Sequence, residues 1–405
     1  MIDRATLAAR DAADPLAPFR DRFTLPEGVI YLDGNSLGAL PRATPERVAQ
    51  VVTQEWGTSL IRAWNAHGWI DLAQRVGEKI GRLIGAAPGS TIVADSTSIN
   101  LFKLLGAALA ARPGRHTILT ETGNFPTDLY VADGLTRLLG RGHQVRAVDD
   151  PVVALDDDVA VLMLTHVNYR TGAMHDMASI SRAAHAVGAL VLWDLSHSVG
   201  AVPLALAADG ADLAVGCGYK FLNGGPGAPA FLSVSPALQA DLRLPITGWL
   251  GHAAPFDFAP DFRPAGGVAA AVVGTPPVLS LAALEVGVDL MLEAPMPALR
   301  EKSLRLGESF LALMDALPGF VPITPRDTTR ASQVAFRHPD GYAIMQALIA
   351  RGVIGDFRAP DILRFGLAPL YLRHVEVWDA VAALRDIMRS GAWQDAAFQH
   401  RQAVT

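Results

Sequence analysis

Between residues 90 and 235 the chain alternates short, unbroken apolar runs with longer segments whose apolar positions recur every three or four residues. The runs are STIVAD (90–95), RHTILTE (115–121), VAVLMLTHV (159–167), GALVLWDLSH (188–197) and ADLAVGCG (211–218). Continuous apolar runs of this length predict strands buried on both faces, as in a parallel sheet. The segments between them, SINLFKLLGAALAA (98–111), FPTDLYVADGLTRLLG (125–140) and MASISRAAHAVG (177–188), carry the helical period. Strand and helix in alternation predict an α/β domain with a mainly parallel sheet.

Beyond about Val278 the texture changes to long helical patterns, LSLAALEVGVDLMLEA (279–294) and LREKSLRLGESFLALMDAL (299–317). A smaller α+β segment follows, with strands SQVAFRH (332–338) and LRFGLA (363–368), a helix YAIMQALIARG (342–352) and a closing helix EVWDAVAALRDIMRSG (376–391). The expected organisation is an N-terminal segment, 1–50, that packs on the small domain and the active site. A large domain then spans 51–285, and a connecting helix with a small C-terminal domain spans 286–405.

Composition narrows the class. With 405 residues, half of them hydrophobic, the chain can bury a large core. A net charge of −6 and the absence of charged runs give no footprint for a nucleic-acid partner. One cysteine, Cys217, excludes an intramolecular disulfide framework and any cysteine-rich metal centre, and it fits a reducing cytosol. The charged N-terminus lacks the apolar centre of a signal peptide, and no run is long enough to span a bilayer. A soluble cytoplasmic protein without a membrane partner is expected.

In an open parallel sheet, ligands gather outside the carboxyl ends of the strands. Polar residues fall there repeatedly: Asp95 to Ser98, Asn124 to Asp128, Thr165 and His166, Asp194 and His197, and Tyr219 and Lys220. Ser98 reads as the N-cap of the helix after 90–95, whose free N–H groups suit a phosphate; an ordinary cap is the alternative. Asp194 follows a wholly apolar run, so its carboxylate calls for a cation such as a protonated pyridine nitrogen, unless it only caps the next turn. His197 is either a ring neighbour or a structural histidine. A partly desolvated lysine attacks carbonyls to form a Schiff base, and Lys220 lies at a strand end among glycines; its alternative is a stem along apolar surface with the head in water. Tyr219 beside it could donate to a phosphate or move a proton. Phe125 could stack on a ring, while Trp64 and Trp249 read either as pocket walls or as packing. Arg364 carries a planar fork that matches a carboxylate; the alternative is a salt bridge at the domain surface. The set points to pyridoxal phosphate (PLP) held by a lysine and an aspartate.

Seven stretches taken together resemble one family closely. They are YLDGNSLG (31–38), DSTSINLFKLL (95–105), NFPTDLY (124–130), LTHVNYRTG (164–172), WDLSHSVGAVP (193–203), GCGYKFLNGGPGAPAFL (216–232) and GWLGH (248–252). In order and spacing they resemble kynureninases, over essentially the whole chain. The resemblance implies a fold-type I PLP enzyme, related to aminotransferases, that acts as a homodimer with shared active sites. It implies hydrolysis of L-kynurenine to anthranilate and L-alanine in the kynurenine pathway, serving tryptophan breakdown, NAD synthesis or anthranilate supply. Lys220 is then the Schiff-base lysine and mover of the α-proton, Asp194 the pyridinium partner, Phe125 the stacking ring and His197 a close neighbour. Thr97, Ser98, Tyr219 and Trp249 serve the phosphate, Asp128 and Thr165 lie near the cofactor, and Thr275 reaches the phosphate from the other subunit. Tyr219 also assists as a catalytic proton carrier. Arg364 holds the substrate carboxylate, with Ser36, Trp64 and Gly274 also on the substrate side. Trp64 and the pair Gly274–Thr275 resemble the bacterial pattern that favours kynurenine over its 3-hydroxy form. Rival readings are a cysteine desulfurase, an aminotransferase and a non-catalytic PLP-binding protein. A desulfurase needs a mobile cysteine, which Cys217, placed in a strand, would not be.

Overall fold

The computed structural model describes residues 2–401. Seven strands form the large sheet: β1 (Thr91–Val93), β2 (Thr117–Glu121), β3 (Gln144–Val148), β4 (Val159–Thr165), β5 (Leu190–Asp194), β6 (Leu213–Gly216) and β7 (Phe231–Val234). Their order is β1-β7-β6-β5-β4-β2-β3. The ladders from β6 through to β3 are parallel, whereas β7 runs antiparallel to both of its neighbours. The five apolar runs become β1, β2, β4, β5 and β6; every residue of β4 and β5 is buried. Each large aliphatic side chain so buried contributes about 2 kcal/mol of transfer free energy.

Two strands have no counterpart among the apolar runs. β3, QVRAV, is an edge strand with no fully buried residue, so it alternates polar and apolar instead of running apolar. β7, FLSV, is short and follows a glycine- and proline-rich loop.

Helices cover the sheet: α1 (Leu72–Leu83), α2 (Thr97–Ala111), α3 (Pro126–Leu139) and α4 (Met177–Ala186). The first of these packs on β1, and α2 lies across β4 to β7. The N-cap of α2 is Ser96, not Ser98: its hydroxyl accepts from the Ile99 N–H at 3.4 Å, and Ser98 lies inside the first turn. The cap falls two residues earlier because Asp95 turns the chain sharply, at φ 43°, as it leaves β1.

After α5 (Val278–Glu293) and α6 (Met296–Met314), a four-stranded sheet forms from β8 (Val321–Pro322), β9 (Gln333–Arg337), β10 (Asp356–Arg358) and β11 (Ile362–Gly366). Its order is β8-β9-β11-β10, antiparallel throughout; α6 and α7 (Gly341–Ile349) pack on it, and α8 (His374–Ser390) packs on those two helices.

The N-terminal segment links this sheet to the larger one. Asp11 accepts from the N–H groups of His374 (2.6 Å) and Val375 (2.9 Å), satisfying donors that helix geometry leaves free at the start of α8. Ile30–Tyr31 pairs in parallel with Val353–Ile354, and the Gly38 N–H donates to the Tyr219 carbonyl at 2.8 Å. A Cβ at Gly38 would lie 2.3 Å from the Lys220 carbonyl oxygen, so this contact requires glycine. Among the described residues no helix is long and apolar enough to cross a membrane.

Candidate active site

Parallel register sets Thr165, the last residue of β4, directly beside Asp194, the last residue of β5. Asp194 is buried and accepts from the Ser196 N–H at 2.7 Å, so it does brace the following turn. No cation lies within ion-pair distance of it among the described residues. Burial pushes its carboxyl pKa up, against the pull of the Ser196 hydrogen bonds and the Lys220 charge.

Asp128, in the first turn of α3, is also buried. One carboxylate oxygen meets the Thr165 hydroxyl at 3.5 Å; the other has no donor. Burial, with the Asp194 charge added, holds its pKa well above the usual carboxylate range. Thr165 also donates to Asn124 Oδ1, which accepts from the Phe125 N–H at 2.7 Å, while Asn124 Nδ2 donates to Thr120 at 3.0 Å. Asn124 thereby fixes the turn that presents Phe125 and Asp128.

The strand leading to Lys220 ends at Gly216, and the lysine sits four residues later in the turn held by Gly38. Its Nζ lies 3.0 Å from His197 Nε2 and 5.9 Å from the centre of the Phe125 ring. His197 is buried, and burial together with the Lys220 charge holds its pKa well below the ordinary value, so the ring is neutral. Tyr219 is half-buried, and burial with nearby Cys217 and Asp194 raises its phenol pKa.

Two buried carboxylates therefore face one lysine and a neutral histidine. A buried carboxylate without a cation is costly, and Asp194 lacks the positively charged N–H donor that a protonated pyridine ring carries. Phe125 offers that ring an apolar face, and the N–H groups at the start of α2, at Thr97 and Ser98, suit a phosphate. These residues fit PLP.

Arg364 lies on β11 and is 1% exposed. It is not at the domain surface. Asp356 on β10 sits directly opposite it in register and takes its fork, with the Nε–Oδ1 distance 2.9 Å. Arg364 also donates to Ser36 Oγ (2.9 Å) and to the Tyr169 carbonyl (2.7 Å), and Arg358 donates to Asp356 from the side at 2.7 Å. Tyr169 joins the two halves of the site, because its ring meets Phe125 edge-on at 5.1 Å.

The structure thus gathers Phe125, Asp128, Thr165, Asp194, His197, Tyr219 and Lys220, and connects Ser36 and Arg364 to them. Of the other six, Thr97 and Ser98 lie in the first turn of α2, and the remaining four are not brought into this cluster within one chain. Trp249 is 39% exposed and packs with Phe256 and Phe258 beside a cavity of about 320 Å³. Trp64 packs edge-on to Trp69. Gly274 and the exposed Thr275 precede Pro276 and Pro277, which line a second cavity of about 430 Å³ with Trp56 and Trp69. Asn124, Tyr169 and Asp356 are the site residues that strand-end reasoning leaves unassigned. Asp356 had a usable signal: an acidic residue on the strand facing an arginine strand.

A family model described as the kynureninase C-terminal domain matches residues 299–384. A kynureninase of Burkholderia pseudomallei strain 1106a is 52% identical over 416 residues, covering 100% of both chains. Among solved structures, the apo cysteine desulfurase of Thermococcus onnurineus NA1 aligns with a TM-score of 0.79 at 16% identity, over 92% of this chain and 98% of that one. A C-DES variant with glycine covalently linked to its PLP cofactor aligns at 0.78 and 18%, over 91% and 99%. These two likenesses show the fold, that of fold-type I PLP enzymes.

Proposed function

The chain belongs to the kynureninase family, and from that premise we propose that it hydrolyses L-kynurenine to anthranilate and L-alanine with PLP as cofactor. The observation that carries the reading is the cluster of Lys220, His197 and the cation-free Asp194, joined through Tyr169 to the paired Arg364.

Lys220 would hold the cofactor covalently, Asp194 its ring nitrogen and the start of α2 (Thr97, Ser98) its phosphate, with Tyr219 and Trp249 also serving the phosphate. Phe125 and His197 would flank the ring, Asp128 and Thr165 lie near it, and Thr275 reach the phosphate from a second copy of the chain. When bound, PLP supplies an electron sink for charge developing on the substrate carbons. Arg364 holds the substrate carboxylate, oriented by Asp356 and closed over by Ser36 of the N-terminal segment. Lys220 Nζ takes the α-proton; the neutral His197 ring can accept a hydrogen bond from this amine and adds no competing charge. Tyr219, kept protonated by its raised pKa, can deliver a proton at the γ-carbonyl oxygen or at Cβ. Water supplies the hydroxyl that ends on the anthranilate carboxyl group, and its hydrogen balances the new C–H bond of alanine.

The bulk of Trp64 and the pair Gly274–Thr275, which offers a ring hydroxyl no side-chain amide, support a preference for kynurenine over the 3-hydroxy form. Such a pocket discriminates by ~10²-fold at most. Exposed Trp56 and Ile61, and the exposed pair Phe256–Phe258, support a homodimer, since exposed apolar surface marks a protein contact. We place the enzyme in the cytoplasm, where a lone reduced cysteine is stable, and in tryptophan catabolism, with NAD synthesis as one destination. The desulfurase reading has the fold in its favour. The chain's one thiol, however, is buried and directed at the Ser196 carbonyl, 3.8 Å away.

PLP-loaded protein given L-kynurenine and no keto acid should release fluorescent anthranilate and alanine in equal amounts. A need for a keto-acid acceptor, or sulfur release from cysteine with no anthranilate, would overturn the reading.

A further inference from the structure

Lys103, two turns into α2, is 0% exposed, a rare setting for a lysine. Its Nζ pairs with Asp95 and donates to the Ala271 carbonyl at 2.7 Å. Asp95 has φ 43°, a left-handed conformation that strains a non-glycine residue and persists only where its surroundings enforce it. It is also the residue that turns β1 into α2, one position before the cap Ser96 and two before Thr97. The Asp95 carbonyl is fixed by the Ala230 N–H at 2.9 Å, so the Lys103 pair is what secures its side chain.

We propose that Lys103 is a positioning residue for the cofactor phosphate. By gripping the Asp95 carboxylate from inside α2, it holds the left-handed turn that aims the first N–H groups of that helix, at Thr97 and Ser98, into the site. The Ala271 carbonyl fixes the amine from the other side. The inference rests on the reading of this turn as the phosphate site. Lys103 itself touches neither cofactor nor substrate.

The test is equilibrium binding to apoenzyme, followed by cofactor absorbance, with PLP and with pyridoxal, which lacks the phosphate. Lys103→Met should weaken PLP by ~10- to 100-fold, the usual loss when the partner orienting a ligating group is removed, and leave pyridoxal affinity nearly unchanged. Lys103→Met combined with Asp95→Gly should recover most of the loss, since glycine takes the turn without strain and leaves no carboxylate unpaired. This double variant also keeps the test open should the single variant misfold: PLP weakened selectively in it as well would refute the route through Asp95. Equal weakening of both ligands, or none, in Lys103→Met would refute the positioning role. Ser98→Glu serves as the control for the site itself, because a carboxylate in the turn should repel PLP and spare pyridoxal. If it fails to discriminate, the phosphate reading falls; if it discriminates and Lys103→Met does not, only the positioning role falls.

Discussion

Asp356→Asn and Arg364→Met should rank in opposite orders for stability and for substrate binding. The two side chains face each other in register and are about equally buried. Their other partners differ. Asp356→Asn leaves Arg364 buried with no anion at ion-pair distance, and stranding one member of a buried pair costs about 3–5 kcal/mol. Arg364→Met leaves Asp356 still paired with Arg358 at 2.7 Å and bonded to Ser36 at 2.9 Å. Its cost is nearer the ~1.5–3 kcal/mol of lost hydrogen bonds to a charged group. Denaturant unfolding of the apoenzymes should therefore show Asp356→Asn as the less stable. Kinetics should invert the order: without the fork, KM for kynurenine rises by about 10- to 100-fold, the equivalent of one charge-assisted contact, whereas Asp356→Asn keeps the guanidinium and raises KM less. Anthranilate fluorescence reads both. If KM follows the same ranking as stability, Arg364 is a structural ion pair and its role as carboxylate anchor is wrong.

Three further outcomes follow from the geometry. Gly38→Ala must displace the Lys220 turn, because the new Cβ would sit 2.3 Å from the Lys220 carbonyl oxygen and 2.5 Å from Asn223 Oδ1; kcat should drop by ~10²-fold, the scale of a 1 Å misplacement, with a shifted cofactor absorption band, and normal turnover would show that the segment around Gly38 is not coupled to the lysine. Tyr219→Phe should retain the cofactor's lysine-linked absorption but lose ~10²-fold or more in kcat, the usual contribution of a proton donor. Burial and the His175 charge depress His166 from 6.5 to about 4, so the folded state binds fewer protons there than the unfolded state. Its contribution to stability is complete above pH 6.5 and is lost as pH falls toward 4; His166→Gln should flatten the melting temperature over that window, and an unchanged slope would place the acid sensitivity elsewhere.

What was legible in the sequence tracks how locally each feature is determined. β4 and β5 are buried on both faces, so their apolar composition is self-sufficient evidence, and the polar residues ending them mark the ligand edge. β3, an edge strand, and β7, antiparallel within a mostly parallel sheet, take their structure from neighbours that the local pattern does not reveal. The same holds for the α2 cap: Ser96, Thr97 and Ser98 are all acceptable in composition, and the choice rests on the left-handed turn at Asp95. Asp356 and Lys103 act through partners eight residues away across a strand pair and eight residues back along the chain. Asp356 becomes legible only once its strand is set opposite that of Arg364, and nothing in a window around Lys103 announces its pair.

The four expected site residues that one chain does not gather lie in two places of the same kind. Trp249 stands beside exposed Phe256 and Phe258; Trp64, Gly274 and Thr275 lie around the cavity walled by Trp56, Trp69 and Pro276. Both places are apolar and exposed, and neither contacts Lys220 or Arg364. A residue that touched only its own chain's site would be expected among the buried cluster at the strand ends. In the proposed homodimer, residues held at these apolar surfaces would complete the site of a second copy. The proposed homodimer therefore makes a kinetic claim: an inactive Lys220→Ala chain and an inactive Thr275→Asp chain, mixed and allowed to exchange, should regain up to about a quarter of wild-type activity, because half the dimers would be mixed and each would hold one intact site. Sedimentation at a single chain's mass, or no recovery on mixing, would put Trp249 and Thr275 outside the active site.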